Sequence, residues 1–504
     1  MRFPGIRTAV VAGAVTVCTT ASTVGAATAG DTQPPPITWH TCGTGPDDKL
    51  GAVLDAASAQ CGEVTVPVDY TQPRGRTMTV ALDRIRATDP AARRGVLFLN
   101  PGGPGASGME LSLVGPRMPD VAARYDLIGM DPRFVDRSNP ITCQWRTDTF
   151  LNSAGPDRRT FDESVALAKN LAEGCADGTI DLLPHASTRN TARDMDVIRR
   201  ALGEEKISYL GYSYGTYLGA VYLQMFGAHA DRVVLDSAVD PDVFGPALIS
   251  RDAPAAQAAL RHFAAWAAGH DGDYGLGAST DAVLATVDRA NAASQRRPLR
   301  VGTYAVDAHV VPYLLFVGLY DDSDEGYADL AGRLRVLDAA ARGRPAVPNP
   351  SLETFLAGLL TGAGRATDRG GTAVVCADRA APRDPETYFR DIEAHRGDEP
   401  LFGPLTHNIT PCAFWAVQPA ERPTTVHNDV PVMIIGADGD PVAPYPGQLA
   451  MHRALTGSRL VTLRGGFAHT EYIAAGNTCI DGTVNRYLVD GILPAHDTNC
   501  AVGS

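Results

Sequence analysis

Lysine is scarce in this 504-residue chain: Lys49, Lys169 and Lys206 are the only three among 44 basic residues. Acids outnumber bases, 57 to 44, and the formal net charge is −13. A surface of that sign argues against nucleic acid and anionic membranes as partners. No C-x-x-C pair and no cluster of histidines occurs in the sequence, so no metal site is expected. No G-K-[ST] follows any glycine-rich stretch, which excludes a P-loop, and no cofactor is expected. Beyond the first 29 residues no run approaches about 18 consecutive apolar residues, so no stable membrane anchor is expected. There is no internal repeat.

What is present describes a globular protein, with 44% hydrophobic and 20% charged residues. Residues 1–29 read as a secretory signal peptide: Arg2 and Arg7 at the start, an apolar core from Thr8 to Val17, and Ala27-Thr28-Ala29 as the cleavage site. That segment has no acid. Removing its two positive charges from −13 leaves −15 on the rest. Of nine cysteines, Cys18 falls in the leader. The other eight imply disulfides in an exported protein. The pairing that closes short loops without crossing is Cys42 with Cys61, Cys143 with Cys175, Cys376 with Cys412, and Cys479 with Cys500.

Eight short apolar runs read as strands. Val64–Asp69 contains a proline and reads as an edge strand. Thr77–Ile85 follows a turn at Pro73-Arg74-Gly75. Then come Gly95–Asn100, Tyr125–Met130, Lys206–Leu210, Arg232–Leu235, Pro431–Gly436 and Arg459–Leu463. Most are separated by helical patterns. One has Ala192, Met195, Ile198 and Leu202 on a single face, with Thr191 as its cap and Gly203 as its stop. Strands alternating with helices predict an α/β class with a mostly parallel sheet covered on both faces. From about Phe244 to Val426 the alternation gives way to an Ala-rich helical pattern, read as an inserted cap.

The chemistry gathers around Gly211-Tyr212-Ser213-Tyr214-Gly215, a G-x-S-x-G between the strand Ile207–Leu210 and the helical stretch Thr216–Phe226. Strand, sharp turn and helix is the setting of a nucleophile elbow. A serine hydroxyl needs a base within reach and a third group to orient that base. The elbow's chain order is serine, acid, histidine. Asp440 opens D-x-V-x-P after the strand Pro431–Gly436, where a turn fixes its side chain; Asp438 and Asp236 are the competing acids. His469 follows the last strand through Gly465-Gly466, which let the backbone fold back over the sheet; His452 is the alternative. The amide of Tyr214 and the loop Pro101-Gly102-Gly103-Pro104-Gly105 are suited to donate to a developing oxyanion.

The stretches N-P-G-G-P-G-A-S-G, Y-D-L-I-G-M-D-P-R, L-G-Y-S-Y-G-T-Y-L-G, D-G-D-P-V-A-P and G-F-A-H, with Cys376-Ala377-Asp378, resemble the secreted α/β-hydrolases of the tripeptidyl aminopeptidase and prolyl aminopeptidase family. The resemblance implies an α/β-hydrolase fold whose eight-stranded, mostly parallel sheet carries an inserted helical cap. Its division would be 1–29 leader, 30–243 first part of the core, 244–426 cap and 427–504 last part of the core. It implies Ser213, Asp440 and His469 as the triad, with Gly103 and Tyr214 as oxyanion donors. It further implies a secreted enzyme that releases short N-terminal peptides or residues from oligopeptides. Asp378, Asp324 and Glu325 would then hold the substrate's amino group. One departure stands out. The family continues D-P-R-G-x-G-x-S, and this chain has Phe134 and Asp136 at the two glycines. If that loop borders the pocket, Phe134 narrows it, and a small amide or ester metabolite becomes the alternative substrate.

Overall fold

Buried six-residue runs form the middle of a nine-stranded sheet in the computed structural model, which describes residues 34–362 and 367–503. The leader expected at residues 1–29 lies outside the described residues. In chain order the strands of this sheet are β1 (Gln60–Pro67), β2 (Thr77–Ile85), β3 (Gly95–Asn100), β4 (Tyr125–Met130), β5 (Ile207–Tyr212) and β6 (Ala230–Asp236). After a separate two-stranded hairpin, β7 (Leu299–Val301) and β8 (Tyr304–Val306), come β9 (Val432–Ala437), β10 (Ser458–Arg464) and β11 (Thr498–Ala501). The order across the large sheet is β1-β2-β4-β3-β5-β6-β9-β10-β11. Only β1–β2 and β2–β4 pair antiparallel; the other six neighbours run parallel.

The expected count of eight strands is corrected to nine. The ninth, β11, is Thr-Asn-Cys-Ala, too short and too polar to show as an apolar run. It sits beside β10, with Leu463 opposite Cys500, and the Cys479–Cys500 bridge ties it to the helix Thr478–Asp490. Cys42–Cys61, Cys143–Cys175 and Cys376–Cys412 complete the four nearest-neighbour disulfides. They place the folded chain in an oxidising compartment. Among the described residues, no helix is long and apolar enough to cross a membrane.

Alternation along the strands divides the core in two. Val96, Phe98, Tyr209, Val233, Leu235 and Ile434 face one side, where the helices Thr188–Ala201 and Tyr214–Phe226 pack. Leu97, Leu99, Leu210, Val234, Met433 and Ile435 face the other, against the helix Thr478–Asp490. The helix before β5 begins earlier than its apolar spacing predicts. Ser187, not Thr191, is its cap and accepts from the Asn190 amide. Gly203 does follow its end with φ +76.

Between β6 and β9 the segment is helical apart from the β7–β8 hairpin. Much of it has a core of its own, built from Ala256, Leu260, Phe263, Leu314, Tyr327 and Leu334 among others. The helix Thr367–Asp378 departs from that pattern. Its Ala373, Val374, Val375 and Ala377 join the core of the large sheet.

The D-P-R after β4 has a structural purpose. Arg133 and Asp194 are fully buried and paired through two hydrogen bonds, Nε to Oδ2 at 2.7 Å and Nη2 to Oδ1 at 2.6 Å. The guanidinium also donates to the carbonyls of Pro67, Val68 and His185, and Tyr70 donates its hydroxyl to Asp194 at 2.7 Å. One cation thus fastens the antiparallel edge to the helix Thr188–Ala201, with every donor used as a buried charge requires.

Candidate active site

Ser213 joins β5 to the helix Tyr214–Phe226 with φ 54° and ψ −122°, a conformation that L residues rarely adopt. Its amide donates to the Asp236 carbonyl at 3.0 Å, which locks the turn against β6. The flanking glycines are required by contact. A Cβ on Gly211 would lie 2.6 Å from the Gly215 carbonyl oxygen, and one on Gly215 would lie 2.7 Å from Asn100 Oδ1. The turn thereby lifts Ser213 to the amino end of a helix, where negative charge is favoured.

The loop after β3 lies directly on this turn. Gly102 has φ +99, and a Cβ there would meet the Tyr212 carbonyl oxygen at 2.6 Å and Ser213 Cβ at 2.9 Å. Asn100 Oδ1 accepts from the Gly102 amide at 3.0 Å and holds the loop in place. Gly103 and Tyr214 line the same cavity as Ser213.

Asp440 and His469 meet at the carboxyl end of β9 and β10. His469 Nδ1 lies 3.0 Å from Asp440 Oδ2 and 3.1 Å from Oδ1. Asp440 Oδ1 also accepts from the amides of Val442 and Ala443, at 2.8 and 2.9 Å, so the D-x-V-x-P turn orients the carboxylate. Burial works against a charged His469. The Asp440 charge and hydrogen bond outweigh it, and the pKa ends above 6.5. Ser213 and His469 line one cavity of about 650 Å³, and no hydrogen bond joins the two side chains. Such bonds are often long before substrate binds.

The competing side chains do other work. Asp236 is fully buried and accepts from the amides of Glu471 and Tyr472, while Ser237 Oγ accepts from Thr470. Those bonds pin the loop just after His469. Burial pushes the Asp236 carboxyl up to about 7. Asp438 accepts from the Gly465 amide, and His452 bonds Ser458 and pairs with Asp497. On its other side the histidine loop is held by the segment between β6 and β9. The His469 amide donates to the Tyr320 carbonyl at 2.8 Å, the Phe467 amide to Asp322 at 2.7 Å, and the Phe467 ring stacks on His262 at 4.2 Å.

The four side chains read as substrate contacts lie off this cavity. Asp378 is buried and accepts from the Thr188 amide at 2.8 Å and from its hydroxyl, capping the helix Thr188–Ala201. Asp324 is exposed and accepts from Trp266 Nε1 at 2.7 Å; Glu325 is exposed beside it. Phe134 has φ +66 and is buried in the main core, and Asp136 is exposed. The loop's departure from glycine is therefore absorbed behind the cavity wall.

Sequence reasoning missed Asp252. It precedes the helix Ala253–Gly269, lines the cavity and is 1% exposed; its Oδ2 has no hydrogen-bond partner among the described residues. Burial, reinforced by the nearby Asp440 charge, raises its pKa well above the usual carboxylate range. Nothing marks it in the sequence, because its neighbours are those of an ordinary helix start. Most of the remaining wall is apolar, with Val239, Phe244, Leu248, Tyr313, Val317 and Val375, and the ion pair Arg251–Asp240 also lines it. A second cavity of about 570 Å³ shares Leu151 and Tyr313 with the first and carries Glu163, Asp307 and His309.

Comparison with known proteins agrees with this geometry. The profile of the family described as "TAP-like protein" matches residues 399–500, and that of "alpha/beta hydrolase fold" matches 95–303. A tripeptidyl aminopeptidase of Streptomyces lividans is 34% identical over 464 residues, spanning 88% of this chain and 83% of that protein. The serine protease Hip1 of Mycobacterium tuberculosis is 31% identical over 92% of this chain and 91% of its own length. A protein of the same species named carboxylesterase B is 31% identical over 94% and 92%. The mostly parallel sheet is that of these hydrolases, and the chain belongs to the tripeptidyl aminopeptidase-like family of α/β-hydrolases.

Proposed function

We propose that this hydrolase is a serine aminopeptidase that releases short N-terminal peptides or residues from oligopeptides through an acyl-enzyme on Ser213. Ser213 Oγ attacks the scissile carbonyl carbon while His469 Nε2 takes the hydroxyl proton. Asp440 holds Nδ1–H and stabilises the imidazolium. The amides of Gly103 and Tyr214 receive the oxyanion, each such donor lowering the barrier by about 3 kcal/mol. His469 passes its proton to the departing amine, and the C–N bond breaks. Water then repeats the sequence on the ester and frees the acid. Residues 244–426 act as the cap over this chemistry.

The observation that carries the peptide reading is Asp252. A buried carboxyl group with an oxygen unpartnered among the described residues, in a mostly apolar cavity that the base also lines, is suited to a substrate's α-ammonium. The adjoining second cavity gives an extended peptide room to continue. A second reading, an amidase or esterase for a small acylated metabolite, uses the same triad and draws support from the carboxylesterase-named relative.

Matched substrates separate the two. Free-amine tripeptidyl nitroanilides should be cleaved, and their N-acetylated counterparts should not. Asp252→Asn should lower kcat/KM for the free-amine series by about 30-fold or more, the loss of a buried charge pair, and leave p-nitrophenyl acetate hydrolysis unchanged. Equal turnover of acetylated and free peptides, or turnover of acyl esters alone, would remove the aminopeptidase reading.

A further inference from the structure

The histidines are scattered along the sequence, yet the fold stacks two of them far along the chain from the elbow. Asp391 and His395 stand four residues apart on the helix Pro385–His395, one above the other on a single face. The chain returns through the short helix Gly403–Thr406, whose C-terminal cap is His407. The two imidazoles stack with centroids 4.2 Å apart and planes 7° from parallel. His407 is buried between two carboxylates: Nδ1 is 2.7 Å from Asp391 Oδ2, and Nε2 is 3.0 Å from Glu399 Oε2. One ligand atom from each of Asp391, His395 and His407 lies within 4.8 Å of the others.

Each nitrogen of His407 thus faces a carboxylate oxygen, a donor set in which a metal cation can take the place of a ring proton. Glu399 is the more enclosed hydrogen-bond acceptor for His407, its side chain 15% exposed against 49% for Asp391. With Nε2–H held by Glu399, Nδ1 is the nitrogen left to a metal, on the side of Asp391. A carboxylate that orients a histidine whose other nitrogen binds metal is a recurring support for zinc sites. Two imidazoles and one carboxylate, with no sulfur, suit zinc or a neighbouring divalent transition metal; calcium and magnesium prefer oxygen alone.

We infer that Asp391, His395 and His407 form a divalent transition-metal site, oriented by Glu399, once the partly exposed His395 ring turns out of its parallel stack on His407, and that the ion staples this part of the chain. Binding forms two metal–nitrogen bonds and one metal–oxygen bond, and the proton shared between His407 Nδ1 and Asp391 Oδ2 leaves to solvent. Water completes the tetrahedron. The site is structural, because none of the four residues lines the catalytic cavity. It sits where two cores adjoin. Phe402 and Leu405 belong to the core of the inserted segment, and Ile392 and Ile409 to a smaller one. Its effect can reach the cavity wall: Asn408 donates to the Asn152 carbonyl at 2.8 Å, one residue past Leu151.

The test uses the full chain, untagged, stripped with a chelator and titrated with zinc chloride by calorimetry, with calcium and magnesium chloride in parallel. One zinc ion per chain should bind and raise the unfolding temperature, and the two oxygen-seeking cations should do neither. His395→Gln and Asp391→Asn alter partly exposed side chains and should fold. Each should weaken zinc binding by about 10-fold or more and abolish the temperature rise, and Glu399→Gln should weaken binding by about 10-fold. Reaction of Ser213 with a fluorophosphonate should be unchanged by zinc. Absence of zinc binding, equal binding in wild type and both ligand variants, or equal response to calcium would each overturn the site. So would zinc inhibition of Ser213 labelling that persists in the variants, since that places the ion elsewhere.

Discussion

The carboxyl edge of the large sheet and the helical segment between β6 and β9 are built on different terms. At the sheet edge, position is imposed by backbone. Ser213 sits at positive φ, glycines 102, 211 and 215 have no room for a Cβ, and Asp440 is gripped by two amides. In the helical segment, position comes from packing of small and apolar side chains around Phe263, Leu314 and Tyr327. The two meet at the histidine loop, where β10 supplies the chain and Tyr320 and Asp322 supply the clamp. Constraint by backbone fixes a reaction; constraint by packing fixes a shape, which can change with fewer penalties.

That contrast can be broken first at the triad. Asp440→Asn should cost about 10⁴-fold in kcat/KM with the fold intact, because the histidine loses its orienting acceptor. The raised His469 pKa puts the acid limb of the wild-type profile above pH 6.5, where the base becomes neutral and active. In the variant burial is opposed only by the Asp236 charge, so the limb should move to lower pH. A loss below tenfold, or a limb that moves upward, would mean that another acid serves the base.

The next effect is on stability. Arg133→Ala leaves Asp194 buried with Tyr70 as its remaining side-chain donor among the described residues, and should cost about 3–5 kcal/mol in denaturant unfolding. A change of the same size in the partly exposed pair Arg158–Asp162 would erase the distinction between buried and surface fastening.

Smaller, and opposite to the usual trend, is the response to pH. Burial raises Glu471 to about 9, Asp83 to about 8, Asp236 to about 7 and Asp131 to about 6. Unfolded carboxyls titrate near pH 4, so between there and these values the folded chain holds more protons than the unfolded one. These groups therefore favour the fold most at low pH, and the advantage is lost as pH rises through about 6 to 9. Thermal unfolding should occur at a higher temperature near about pH 5 than near about pH 9, and Glu471→Gln should flatten the difference. A variant with an unchanged slope would assign the effect elsewhere.

The smallest expected effect is the most diagnostic of the helical segment. Asp324→Asn and Glu325→Gln should each change kcat/KM by less than about twofold, since surface substitutions away from a site are near neutral. A large loss in either, with Asp252→Asn silent, would move amine recognition from the cavity wall to the outer helix.

What could be read in the sequence follows the same division. The elbow, its flanking strands, Asp440 and His469 are legible because backbone strain demands particular residues at particular spacings. The four disulfides are legible because the pairing follows proximity along the chain. Strand β11 is hidden: an edge strand held by a neighbour and a disulfide needs no apolar pattern of its own. Asp378 reads like a substrate ligand, yet it serves the helix start at Thr188. Asp252, and the meeting of Asp391 with His395 and His407, depend on how helices pack, which no local spacing encodes.

The central claim is that Ser213 is the nucleophile and His469 its base. Intact-mass and peptide mapping after fluorophosphonate treatment test it most directly. One adduct per chain should appear, on the peptide containing Ser213, and should vanish in Ser213→Ala and be strongly slowed in His469→Ala. An adduct that survives Ser213→Ala, or maps to another residue, would contradict the account.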